Sequence, residues 1–114
     1  MKLFYHLIYE WNKGVRDLVL FTSCNKDAKK ITDILQKRKI PFLCNKIDED
    51  KFNIFFGKSD CIEIVKGFSS ENLNEINDYE DFLLGIMLGY SKSQQYKRFL
   101  ERKNKNYLQL TNFL

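Results

Sequence analysis

His6 is the only histidine in the 114 residues, so any proton transfer near neutral pH falls to it first. In an extended reading His6, Ile8 and Glu10 share one face. Cys24 or Cys44 from a neighbouring element could complete a thiol–imidazole pair there, although a lone histidine on a strand is more often a hydrogen-bonded structural or surface residue. The three cysteines, at 24, 44 and 61, are odd in number and outside any C-x-x-C spacing. That pattern suits buried reduced thiols better than a disulfide framework or a zinc site. The acidic runs "IDEDK" and "DYED" lack the alternating ligand spacing and glycine of a calcium loop, and they fall where turns and helix N-termini favour carboxylates. No phosphate-binding loop or dinucleotide fingerprint occurs, so no nucleotide or flavin cofactor is expected.

Recognition chemistry is concentrated in "LGYSKSQQYKRFLERK", residues 88–103. A glycine turn followed by a basic helix has the outline of a helix-turn-helix. Gln94, Gln95, Lys97 and Arg98 are residue types that contact base edges or phosphates. A charged face opposite Tyr96, Phe99 and Leu100 is also what an ordinary surface helix carries. A net charge of +4 is small for a DNA reader. The favoured reading is therefore a docking surface for an acidic protein: Lys29, Lys30, Lys92, Lys97 and Arg98 would attract it, Gln94 and Gln95 would add polar contacts, and Tyr90 would give an apolar centre. Nucleic-acid binding through the final helical hairpin is the alternative, and a small enzyme using His6 comes third.

Charge is segregated along the chain, at +6 over residues 1–47, −7 over 48–81 and +5 over 82–114. Such blocks either occupy different sides of a fold or pair with each other. The N-terminus has no signal-peptide pattern, and the uncharged apolar run 82–91 is half a membrane span, which together predict a soluble cytoplasmic protein.

The elements that must position these residues follow from periodicity. "LFYHLIYEW" and "VRDLVLFTS", joined by Asn12-Lys13-Gly14, read as a hairpin with Tyr5, Leu7, Tyr9 and Trp11 facing the core. "NKDAKKITDILQKRK" reads as an amphipathic basic helix stopped by Pro41. "PFLCNKI", "KFNIFFG" and "CIEIVKGF" read as a three-stranded meander. A capping box at Asn77 and Glu80 opens a helix with Phe82, Leu83, Ile86 and Met87 as its stripe. Gly89 ends it, and Ser91 with Gln94 opens another that buries Tyr96, Phe99 and Leu100. In "GIMLG" the Gly85–Gly89 spacing suits close approach of the helix to a sheet, with Gly89 doubling as terminator. The expectation is one α+β domain, residues 1–106, in the order ββαβββαα. Its mainly antiparallel sheet would have about five strands and helices on one face. Residues 107–114 would be an apolar C-terminal tail.

The H-x-x-Y-E start at His6, Tyr9 and Glu10, the K-G-x-R turn at Lys13, Gly14 and Arg16, and the L-G-Y…Q-Q segment from Leu88 to Gln95 carry a resemblance. Over residues 4–100 the chain resembles a small bacterial family known as the domain of unknown function DUF2023. The resemblance implies a small α+β domain and no known enzymatic activity. Genes of such proteins often stand beside a flavodoxin gene, which implies an accessory protein that binds flavodoxin. Flavodoxins are generally acidic around the exposed flavin edge, and the basic segments at 26–38 and 92–103 are the complementary candidates.

Overall fold

Residues Lys2–Asn12 form a helix, α1, in place of the strand their aromatic content predicts. Phe4, Leu7, Ile8 and Trp11 lie at helical spacing and pack on the core, while Tyr5 and Tyr9, expected inside, face solvent. Gly14 is not a hairpin turn. At φ +78° it closes α1, with its own N–H donating to the Trp11 carbonyl and Val15 N–H donating to that of Glu10.

The computed structural model describes residues 1–111, with side chains as far as Lys105. After α1 come β1 (Leu18–Cys24), α2 (Asn25–Lys37), β2 (Phe42–Lys46), β3 (Lys51–Gly57), α3 (Ser59–Lys66), α4 (Asp78–Met87) and α5 (Lys92–Thr111). The fold is α+β as expected, but the order is αβαββααα and the sheet has three strands, not five. Both lost strands became helices. In α3, Cys61, Ile62 and Val65 are buried at helical spacing and Ile64 is exposed, so an alternating strand would have turned the wrong side inward. The expected tail, residues 107–114, lies outside the described side chains.

Central β3 pairs antiparallel with both neighbours, Phe21 opposite Ile54 on one side and Cys44 opposite Ile54 on the other. β1 and β2 are therefore parallel to each other, and α2 makes their crossover. Both faces of the sheet are covered, contrary to the one-sided expectation. Val19, Ile54 and Phe56 pack under α1 and α2, whereas Leu18 and Phe55 pack under α3 and α4. Phe4 meets Phe56 edge-on, with ring centroids 5.9 Å apart.

α4 opens with the expected capping box: Asn77 Oδ1 accepts from Glu80 N–H at 2.8 Å, and Glu80 Oε1 accepts from Asn77 N–H at 3.0 Å. The Glu80 carboxylate also takes the Ser69 hydroxyl and N–H, each at 2.6 Å, tying the preceding loop to the helix. Those donors, the Ser69 hydroxyl foremost, hold its pKa below the ordinary value. The buried face of α4 is Leu84, Gly85 and Met87, so only Met87 of the expected stripe is fully inside.

Candidate functional site

The family-type motifs meet in space. Glu10 bridges His6 and Arg16, with His6 Nε2 at 3.2 Å and Arg16 Nη2 at 3.3 Å. Arg16 in turn lies under the turn after α4, where a side chain on Gly89 would meet its Cβ at 3.2 Å. Gly89 also has φ +82°, so conformation and space both call for glycine there. With Tyr90 N–H donating to the Gly85 carbonyl, this turn closes α4 just as Gly14 closes α1. The junction locks two helix ends together. The His6 side chain is 64% exposed and pairs with Glu10; of the two cysteines expected to complete a thiol–imidazole pair, Cys24 is exposed, and burial pushes the Cys44 thiol up, away from the thiolate a nucleophile needs. Among the described residues no cluster of three His, Cys, Asp or Glu could hold a metal ion.

The 88–103 segment borders a cleft of about 640 Å³ between α5 and the body of the domain. Leu20, Leu73, Ile76, Leu84 and Leu88 contribute apolar walls, and Tyr90, Gln94, Gln95, Lys97 and Arg98 stand among the polar ones. Five of the eight expected partner-binding residues are thus brought together, yet they are not equally free. Gln95 is only 5% exposed, and its Nε2 reaches the Phe82 carbonyl at 3.5 Å. Its amide fills the space where a Cβ on Gly85 would sit, so the close approach at this glycine is by a side chain of α5 and not by the sheet that the spacing was expected to meet. Arg98 donates from Nε and Nη2 to Asp81 at 2.8 and 2.9 Å, and Arg102 donates to Asp78 at 3.0 Å. Arg98 above all, with Arg102 beside it, holds the Asp81 carboxyl below the usual range against the opposing effect of burial.

α5 therefore spends much of its charge on α4. Tyr96 and Leu100, expected inside, are exposed, and Phe99 is half-buried against Phe82 and Tyr79. Lys92 is exposed at the first position of α5 and does not line the cleft.

Lys29 and Lys30 lie elsewhere, exposed on α2 across the sheet from α4 and α5, and Lys29 makes only a loose 3.8 Å pair with Asp33. Helix α1 presents Tyr5 and Tyr9 to solvent on one side, with the Arg38 guanidinium at the end of α2 5.7 Å from the Tyr5 ring centre and Lys13 Nζ 5.4 Å from that of Tyr9. Lys2, Lys26, Lys37 and Lys39 are also exposed in these segments. The two basic blocks of the sequence thus differ in degree: in the first, Arg16 and Lys46 have carboxylate partners while the lysines of α2 are held loosely or have no carboxylate partner among the described residues, and in the second Arg98 and Arg102 are bonded to the acidic block.

A family model described as "Protein of unknown function (DUF2023)" matches residues 2–102. The chain belongs to the DUF2023 family. The match takes in the Glu10–Arg16–Gly89 junction, the basic face and the α4–α5 contact, so these features all lie within the family domain. No curated protein matches the chain significantly. No helix among the described residues is long and apolar enough to cross a membrane.

Proposed function

We propose that this DUF2023 protein is a non-enzymatic docking module for an acidic protein, and that the surface of α1 and α2 is its contact face. The observation that carries this reading is the pair of exposed rings Tyr5 and Tyr9, four residues apart on one side of α1, each with a cation against it, Arg38 at Tyr5 and Lys13 at Tyr9: an aromatic centre with cations beside it, the make-up of a transient electrostatic interface. Lys29 and Lys30 of α2 add to those cations. Flavodoxin is the partner that the family's gene neighbourhood suggests, and its acidic flavin edge has the required sign. The nucleic-acid reading of α5 loses support because Gln95 is buried and Arg98 is held by Asp81, which leaves Gln94 and Lys97 of its four reading residues.

The test is calorimetric titration against the flavodoxin of the same organism at about 20 and about 300 mM salt, a range over which screening changes strongly. Binding should weaken with salt and fall at least several-fold in a Lys29→Glu/Lys30→Glu variant, while Lys97→Glu leaves it unchanged. Absence of binding at both salts removes flavodoxin as the partner. Tighter binding to mixed duplex oligonucleotides at low salt would overturn the protein-docking reading.

A further inference from the structure

We propose that the cavity between the end of the β2–β3 hairpin and the α3–α4 loop binds a small neutral molecule carrying an amide edge, a hydrogen-bond donor beside an acceptor. The floor of this cavity is a polar row across the sheet. Thr22, Asn53 and Asn45 stand opposite one another on β1, β3 and β2, one step along from the apolar row Leu20, Phe55 and Leu43 that α3 and α4 cover. Asn45 and Asn53 are each only 8% exposed. Side chains so deeply buried ordinarily spend their polar atoms on partners, because an unpaired carboxamide gives up its water for nothing. Among the described residues, Thr22 Oγ1 makes the only hydrogen bond to either carboxamide, donating to Asn53 Oδ1 at 2.9 Å. Asn53 Nδ2 and the whole Asn45 amide are left to whatever fills the space above them.

That space has the size of a ligand site. Asn53 lines a cavity of about 690 Å³ together with Lys46, Ile47, Ser70, Asn72 and Leu73. Asn45 lines a recess of about 90 Å³ beside it, and Ser70, Glu71 and Leu73 border both. The wall over the sheet is pre-formed: Asn72 N–H donates to Ser70 Oγ at 3.0 Å, and Asn74 N–H donates to Asn72 Oδ1 at 2.9 Å. Charge in the lining is balanced. Lys46 and Glu71 are its only ionised groups, both exposed, and Lys46 already pairs with Glu49 at 3.3 Å. The buried floor is therefore neutral and suits a neutral ligand. Because Asn45 and Asn53 are directly opposite in the register, their Cβ atoms stand about 5 Å apart on one face of the sheet. Each carboxamide sets an N–H beside a C=O, the complement of another amide edge, whether on a nucleobase or on a free carboxamide. Since α1 and α2 pack on the opposite face of the sheet, this site stands independently of the docking surface.

Two-dimensional NMR of the full chain reads the side-chain NH2 groups of Asn45 and Asn53 directly. Uridine, adenosine and nicotinamide serve as amide-edged probes, each to about 5 mM, with glucose as a polyol that lacks the edge. At least one of the three should shift both NH2 groups saturably, with a dissociation constant of about 1 mM or tighter, and glucose should shift neither. A response to the nucleosides alone assigns the edge to a nucleobase, and a response to nicotinamide alone assigns it to a free carboxamide. Asn45→Leu, which extends the apolar row into the recess, should weaken that binding at least about tenfold while melting at or above the wild-type temperature. A carboxamide kept for a structural partner would instead lower the melting temperature when replaced. No shift with any probe leaves water as the occupant and overturns the proposal. Equal shifts with glucose, binding indifferent to Asn45→Leu, or a variant that melts below wild type overturn it as well.

Discussion

Asp81→Ala removes the carboxylate that fastens α5 to α4. The Asp81 side chain is 13% exposed and accepts two hydrogen bonds from Arg98, with Arg102 Nη1 a further 3.6 Å contact. Hydrogen bonds to charged groups contribute roughly 1.5–3 kcal/mol. Arg98 is 54% exposed, so solvent screening brings the expected loss down to about 1–2 kcal/mol. Urea unfolding at pH 7 measures it, and a double-mutant cycle with Arg98→Ala should return a coupling of about 0.5–1.5 kcal/mol. The pH dependence has a definite sign. Because the folded-state pKa of Asp81 is lowered from its ordinary 3.8, the stabilisation is fully present above that value and disappears as pH falls through the lower folded value. Wild type and Asp81→Ala should therefore differ at pH 7 and converge in strong acid. A gap that persists there, or a coupling indistinguishable from zero, would refute the assignment of α5 docking to this carboxylate.

Gly57→Ala should be the most damaging small substitution, at more than about 3 kcal/mol by thermal unfolding, because its backbone is at φ +147° and the new methyl would strike the Asp17 carbonyl. That carbonyl is held by Trp11 Nε1 at 3.2 Å and Lys58 N–H at 3.1 Å. Gly85→Ala displaces the Gln95 amide and should lose the helix-propensity gain it would otherwise bring. Adding Gln95→Ala makes room and should recover about 1 kcal/mol relative to the single variant. Lys39, the one described non-glycine residue with positive φ, at 58°, closes α2 as Gly14 closes α1. Lys39→Gly should therefore raise stability by about 1 kcal/mol in urea unfolding.

The errors in reading the sequence have one physical origin. In "LFYHLIYEW" the set Phe4, Leu7, Ile8, Trp11 fits a helix and the set Tyr5, Leu7, Tyr9, Trp11 fits a strand, and aromatic residues tilt a local reading toward the strand. Which set is buried was decided by the sheet beneath, a tertiary effect. Likewise "CIEIVK" is β-branched but follows Ser59-Asp60 and precedes Gly67, and its burial follows the helical period. Features that rest on local chemistry were legible: the Asn77–Glu80 box, the Gly89 terminator, and the Asp48–Asp50 turn, where Asp50 N–H donates to Asp48 Oδ1 at 2.8 Å. Gln95 was not legible, because a polar side chain is buried on a helix only when a facing Gly85 leaves space for it, and that pairing spans two elements.

The same separation of local from tertiary information explains why the candidate docking residues split into two groups. Lys29, Lys30, Lys97 and Arg98 all look alike as exposed cations at helical spacing, and a patch made of all four would need them on one side of the molecule. The sheet stands between them, with α2 over Ile54 and Phe56 and α4 over Phe55. A rigid partner contacting one group does not contact the other. The acidic block then settles which cations are available for long-range attraction: Asp78 and Asp81 take up Arg98 and Arg102, whereas only Asp33, at 3.8 Å, stands near Lys29. An ammonium ion whose counter-charge is weak and solvated keeps more of its field outside the protein than a guanidinium bonded in bidentate fashion. On that ground the lysines of α2, rather than Arg98 and Arg102, are the cations that the proposed docking draws on.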